Sequence, residues 1–148
     1  MKRIIIEAEL CDGCKNCSVA CMQSHRSDAG TVYDLDLTDP KNETRNHIIA
    51  LESGIYKPIF CRHCEEPECV ASCMSAALTK DEVTGLVLYD EKKCAACFMC
   101  VMNCPYGTIK PDRVSHSKII KCDFCKDSDY DPSCVKSCPK KAIHVEEV

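Results

Sequence analysis

The chain has 148 residues, a formal charge of −4 and no Trp; this excludes a basic surface for nucleic acid and leaves few large side chains to build a core unaided. Sixteen residues are Cys, so the chain is stapled by disulfides or by bound metal.

The N-terminus reads Met1-Lys2-Arg3-Ile4-Ile5-Ile6-Glu7. Its apolar run is far shorter than the ~7–15 residues of a secretory h-region. No stretch approaches the ~20 apolar residues of a membrane span. The expected location is cytoplasmic, where thiols stay reduced, and this moves the cysteines from disulfides toward metal.

Lys2–Ile6 reads as a strand. It leads into a first group of cysteines: Cys11, Cys14, Cys17 and Cys21. Residues 22–46 form a long polar connector with Asp, Thr and Asn clusters, expected as a loop insertion on the surface. Residues 47–51 and 55–60, turning at Ser53-Gly54, read as a hairpin. It leads into the second group, Cys61, Cys64, Cys69 and Cys73. A second hairpin, 77–79 with 86–89 around Gly85, leads into Cys94, Cys97, Cys100 and Cys104. A third, 108–110 with 118–121, leads into Cys122, Cys125, Cys134 and Cys138. Residues 142–145 make a closing strand.

No cysteine falls outside these groups. The third group has the spacing C-x2-C-x2-C-x3-C-P, with Pro105 last. That is the bacterial ferredoxin run, in which three thiolates hold one [4Fe–4S] cube and the fourth serves its neighbour. Two-residue gaps let a short loop wrap three corners of a cube with its N–H groups turned toward the sulfides. The first group keeps the spacing with Met22 in place of the proline. The second widens its middle gap to four residues and has Met74; the fourth widens it to eight and retains Pro139. Such insertions are tolerated because loop-closure entropy grows slowly with length.

The rival readings are weaker. Zinc ribbons pair two CxxC units at longer separation, and disulfides need an oxidising compartment. His25, His47, His63, His116 and His144 read as surface residues or as residues packed behind the ligands. Phe60, Phe98, Tyr106 and Phe124 flank cysteines and are expected to keep water off the metal. There is no Ser/His/Asp constellation, phosphate loop or GxGxxG in the sequence. The chain is therefore expected not to be an enzyme by itself.

The stretches CDGCKNCSVAC, CRHCEEPECVASC, CAACFMCVMNCPYGTI and CDFC…CVKSCPKKAI resemble the four-cluster, ferredoxin-like electron-transfer subunits. That family serves carbon monoxide dehydrogenases, hydrogenases, formate dehydrogenases, and the dimethyl sulfoxide and polysulfide reductases of anaerobic metabolism. The resemblance runs from about Ile4 to Val145, and the short carbon monoxide dehydrogenase partners look most similar. It implies an α+β fold of two modules of the bacterial 2[4Fe–4S] type, with short hairpins and short helices. One module would comprise residues 1–21 with 105–148, the other residues 47–104, with 22–46 inserted. It implies four [4Fe–4S] clusters with interleaved ligands. The first would take Cys11, Cys14, Cys17 and Cys138; the second Cys122, Cys125, Cys134 and Cys21. The third would take Cys61, Cys64, Cys69 and Cys104; the fourth Cys94, Cys97, Cys100 and Cys73. Electrons would pass between a redox enzyme such as carbon monoxide dehydrogenase and a second acceptor or donor protein. Docking is expected near residues 12–16 and 95–99. The alternative partners are a formate dehydrogenase, a hydrogenase or a molybdopterin reductase; a structural zinc protein is the least favoured reading.

Overall fold

The computed structural model describes residues 1–148. The β-branched triplet Ile4-Ile5-Ile6 lies in strand β1 (Lys2–Ile6). Helix α1 (Asn16–His25) follows, then strands β2 (His47–Ala50) and β3 (Tyr56–Ile59) and the short helix α2 (Glu68–Ala71). Strands β4 (Leu78–Lys80) and β5 (Val87–Tyr89) precede α3 (Met99–Asn103). Strands β6 (Lys110–Pro111) and β7 (Ile119–Ile120), helix α4 (Ser133–Lys136) and strand β8 (Ile143–Glu147) complete the chain. No helix is long and apolar enough to cross a membrane.

All four sheets are two-stranded and antiparallel: β1–β8, β2–β3, β4–β5 and β6–β7. The expected hairpins and the pairing of the two chain ends are all present. In β1–β8, Ile4 faces Val145 and Ile6 faces Ile143. Aliphatic cross-strand pairs of this kind contribute ~0.2–1 kcal/mol each. Beyond them the Met1 ammonium donates to the Val148 carbonyl at 2.9 Å. Isolated two-stranded ribbons are marginal in water, so these sheets depend on what they pack against. Helix α1 packs on α4, and α2 on α3.

Two apolar clusters serve as cores. One joins Cys17, Phe60, Cys134 and Ile143, with Ile4, Ile6 and Ile48 against them. The other joins Leu78, Val87, Cys100, Ile109 and Ile119, with Cys69, Cys73 and Cys104 alongside. Only 23 of 148 residues are buried, several of them cysteines, so the side-chain core is as thin as the composition implies.

The polar connector lies largely at the surface. Helix α1 continues past Cys21 to His25, and the rest is tied down by polar contacts. Ser18 Oγ donates to Asn46 Oδ1 at 2.7 Å, and Asn46 is 2% exposed. Arg26 pairs with Asp28 and, at 2.8 Å, with Asp34. Lys110 reaches back to Glu43 at 3.2 Å and donates to the Thr44 carbonyl at 2.6 Å.

Candidate metal centres

All sixteen cysteines carry unpaired thiols. In every group the residue just before the second cysteine is left-handed: Gly13 (φ 75°), His63 (φ 44°), Ala96 (φ 53°) and Phe124 (φ 59°). A non-glycine residue there costs ~1–2 kcal/mol. Where left- and right-handed residues alternate, successive N–H groups can form a nest of the kind that accepts anions at Fe–S sites; in the fourth group Cys125 is left-handed as well (φ 51°). Entry to the helices then differs. In the two compact groups the helix follows a left-handed residue, Lys15 (φ 61°) or Phe98 (φ 57°). In the two groups with insertions it follows an extended proline, Pro67 or Pro132. Each third cysteine lies in a short helix, and the fourth stands one turn further, ~6 Å along the axis.

That turn carries the trailing cysteine toward another group. Cys11, Cys14, Cys17 and Cys138 line one cleft with Ile48 and Ala142. Cys73, Cys94, Cys97 and Cys100 line another with Leu78 and Phe98. Mutual repulsion of the thiols traces the same gatherings. Burial pushes the Cys17 thiol up to about 11, with Cys138 and Cys11 adding to it. Burial pushes Cys100 up to about 11, helped by Cys73 and Cys94. Cys69 is raised to about 11 by burial, opposed by Lys121 and reinforced by Cys61, Cys104 and Cys64. Cys134 is raised by burial and then by Cys122, Cys21 and Cys125.

A buried quartet of thiols is electrostatically unfavourable as thiolates unless a cation joins it, and iron binds the deprotonated form. Four soft sulfur donors per site suit zinc or an iron–sulfur cluster. The C-x2-C-x2-C-x3-C spacing distinguishes them, since it is the ferredoxin run. The residues present thus fit a [4Fe–4S] group.

Behind the cysteines lies a polar layer that spacing alone did not reveal. His25 Nε2 is 3.1 Å from Asp123 Oδ1, and Arg45 pairs with the other oxygen at 3.0 Å. His25 Nδ1 lies 2.8 Å from the Cys21 carbonyl and 3.7 Å from its Sγ. Burial works against a charged His25, but Asp123 and Cys21 outweigh it and hold the ring up at about 10. Burial would raise Cys21, yet the His25 hydrogen bond and charge, with the Arg45 N–H, draw it below the usual thiol range. His25, Asp123 and Cys125 lie close enough to share an ion, but Asp123 is already engaged by two cations. Phe60 and Phe124 are buried as expected of shields, at 3% and 1% exposure. Tyr106 is instead exposed, with the Arg62 guanidinium 4.7 Å above its ring. His63, read among surface or backing residues, is 2% exposed. Among the sixteen cysteines only Cys14 and Cys97 are exposed.

Residues 53–148 match the family described as the 4Fe-4S dicluster domain. The chain is 33% identical over 143 residues to the NADH-dependent phenylglyoxylate dehydrogenase subunit beta of Aromatoleum evansii, covering 95% of this chain but only 29% of that protein. It is 30% identical over 154 residues to the electron transport protein HydN of Escherichia coli K12, covering 95% of this chain and 85% of HydN. Among solved structures it shares its fold with a chain of the active site complex BamBC of benzoyl coenzyme A reductase, at a TM-score of 0.51 and 24% identity over 99% of this chain and 79% of that one. None of these names carbon monoxide dehydrogenase, toward which the sequence resemblance leaned. Thiol groups at ferredoxin spacing and the family match agree: the chain belongs to the 4Fe-4S dicluster domain family, as an electron-transfer iron–sulfur protein of ferredoxin-like α+β fold.

Proposed function

We propose that the chain is the electron-transfer subunit of a larger redox assembly and holds four [4Fe–4S] clusters in two ferredoxin modules. When bound, the clusters supply a series of one-electron carriers. The protein's own residues hold them, space them and set their surroundings. Cys11, Cys14, Cys17 and Cys138 hold the first; Cys122, Cys125, Cys134 and Cys21 the second. Cys61, Cys64, Cys69 and Cys104 hold the third; Cys94, Cys97, Cys100 and Cys73 the fourth. The observation that carries this reading is the company kept by the trailing cysteines. Cys138 lines a cleft with Cys11, Cys14 and Cys17, and Cys73 lines one with Cys94, Cys97 and Cys100; the repulsion of Cys69 by Cys104 and of Cys134 by Cys21 supports the other two crossings.

The modules are residues 1–21 with 105–148, and residues 47–104, with 22–46 inserted. Each lends a hairpin to the other's core: Ile48 and Phe60 pack with the chain ends, Ile109 and Ile119 with the middle. The first and fourth sets would be the outer ones, since they contain the two exposed cysteines, Cys14 and Cys97. Electrons then pass between a dehydrogenase at one end and a second redox protein at the other. The residue-level resemblance favours carbon monoxide dehydrogenase as that enzyme, whereas the phenylglyoxylate dehydrogenase relative favours an oxidoreductase of organic acids. Reduction of the holoprotein by each purified enzyme separates the two.

Anaerobically purified protein is expected to contain about sixteen iron atoms and sixteen acid-labile sulfides per chain, four of each per cluster. Stoichiometric zinc with little sulfide would sink the proposal.

A further inference from the structure

His63 stands in the loop between Cys61 and Cys64, and Phe124 in the loop between Cys122 and Cys125. The two rings meet edge to face, with centroids 5.8 Å apart and planes at 78°. The loops of the second and fourth groups therefore touch here.

Two donors are buried at this junction. The Val87 N–H donates to His63 Nδ1 at 3.0 Å, so a neutral ring carries its proton on Nε2. That nitrogen is the one buried side-chain N or O in the protein without a partner. A buried donor left unpaired is costly, and His63 is only 2% exposed. The second donor is Lys121, 4% exposed. Its Nζ donates to the carbonyls of Val87 and Cys122, both at 2.9 Å. No carboxylate pairs with it. It stands next to Cys122 in the chain, and its ammonium ties that loop to β5. Lys80 adds a third donor alongside, reaching the carbonyls of His63 and Cys64. A buried cation without a carboxylate is expensive unless another anion offsets it.

We propose that His63 and Lys121 are positioning residues for electron passage between the two halves, His63 Nε2–H donating to cluster sulfur at the Cys61–Cys122 junction and Lys121 acting as the counter-ion of the two inner clusters. The inference rests on the four-cluster reading. Reduction adds one negative charge to a cluster, so a neighbouring ammonium and an N–H···S bond both favour the reduced form. The inner pair is then easier to reduce than it would be without them, while the outer pair, held by Cys11–Cys17 and Cys94–Cys100, is unaffected. The bland reading gives the His63 proton to the face of Phe124 as a weak N–H···π contact and leaves Lys121 as a tie between β5 and the fourth loop.

Potentiometric titration followed by electron paramagnetic resonance on the anaerobic holoprotein tests this. Iron and sulfide are counted first, and that count alone judges the four-cluster reading. Among fully loaded variants, His63→Phe and Lys121→Gln are each expected to shift an inner cluster to lower potential with the outer pair unmoved, and Lys121→Arg to restore the parent value. A lower melting temperature with all four potentials unchanged would overturn the proposal, and an unmoved potential for either residue removes that residue from it. Should the variants lose clusters, labelling decides the histidine half. In 15N-histidine protein carrying His25→Asn, which removes the ring beside Cys21, a reduced cluster is expected to show 15N hyperfine coupling. No coupling would overturn the assignment of His63. Lys121→Arg, which keeps the charge, is expected to hold all its iron where Lys121→Gln loses it; equal loss in both would overturn the counter-ion role.

Discussion

Cys73 closes the second group in sequence but lines a cleft with the third, beside Cys94, Cys97 and Cys100. In the proposed arrangement Cys73→Ala therefore damages the cluster held by the Cys94 loop and spares the one held by Cys61, Cys64 and Cys69. Electron paramagnetic resonance of the reduced variant checks this, and loss confined to the second group would refute the crossing. Spacing alone tells which cysteines share a loop, because C-x2-C and C-x3-C are local geometry. It does not tell which loops meet, and the crossing enters the sequence reading only through family resemblance. Nor does spacing reveal the left-handed residues before each second cysteine. Gly13 signals such a conformation, but Ala96 and Phe124 occupy the same place in their loops and are residue types that ordinarily avoid it. The buried donors His63 and Lys121 were equally illegible, since each is defined by a neighbour from a distant segment, Phe124 for one and Val87 for the other.

Those four loops are equivalent in backbone but not in surroundings, and this matters for the elements they join. A Cβ on Gly13 would lie 2.5 Å from the Tyr56 ring of β3, so the first loop is sealed against the β2–β3 hairpin. Gly13→Ala is expected to destabilise the holoprotein by ~2 kcal/mol or more, combining left-handed strain with the clash. Ala96→Gly instead relieves strain of ~1–2 kcal/mol and gives back ~0.5–1 kcal/mol through the more flexible unfolded chain. Thermal melts under anaerobic conditions are expected to fall for the first variant and hold or rise slightly for the second; equal losses would show that the nests are not equivalent. The strands themselves were readable because β-branched runs ended at Gly54 and Gly85, both left-handed turns. The stitching of residues 22–46 was not, because Asn46 and Arg26 look like any polar loop residues until Ser18, Asp28 and Asp34 are brought to them.

For the molecule as a whole, the scarcity of buried residues decides what holds it together. With 23 of 148 residues buried and sheets of two strands each, binding of the clusters supplies most of the folding free energy, as in other small metal-dependent domains. Chelation or air oxidation is expected to abolish the cooperative melt and most of the native circular dichroism; an apo form that keeps both would contradict this. Charge acts at the same scale. The formal −4 counts every cysteine as neutral, and thiolates around clusters make the holoprotein more acidic still. Association with a basic partner surface is expected to weaken with salt, because steering is screened over ~8–10 Å. Asn16→Glu and Ala95→Glu, at exposed positions beside Cys14 and Cys97, are each expected to slow electron exchange with one partner only while the iron content stays intact. Unchanged rates with both partners would show that the outer sets lie elsewhere. The pairing of β1 with β8 bears finally on how such a chain is made. The loops of the second and third cysteine groups, Cys61–Cys73 and Cys94–Cys104, have all their proposed ligands once Cys104 has left the ribosome, so their iron can be loaded while synthesis continues. The first loop, though translated before them, waits for its proposed fourth ligand, Cys138. In this arrangement maturation starts with the middle loops, and a nascent chain arrested before Cys138 leaves Cys11, Cys14 and Cys17 open to oxidants.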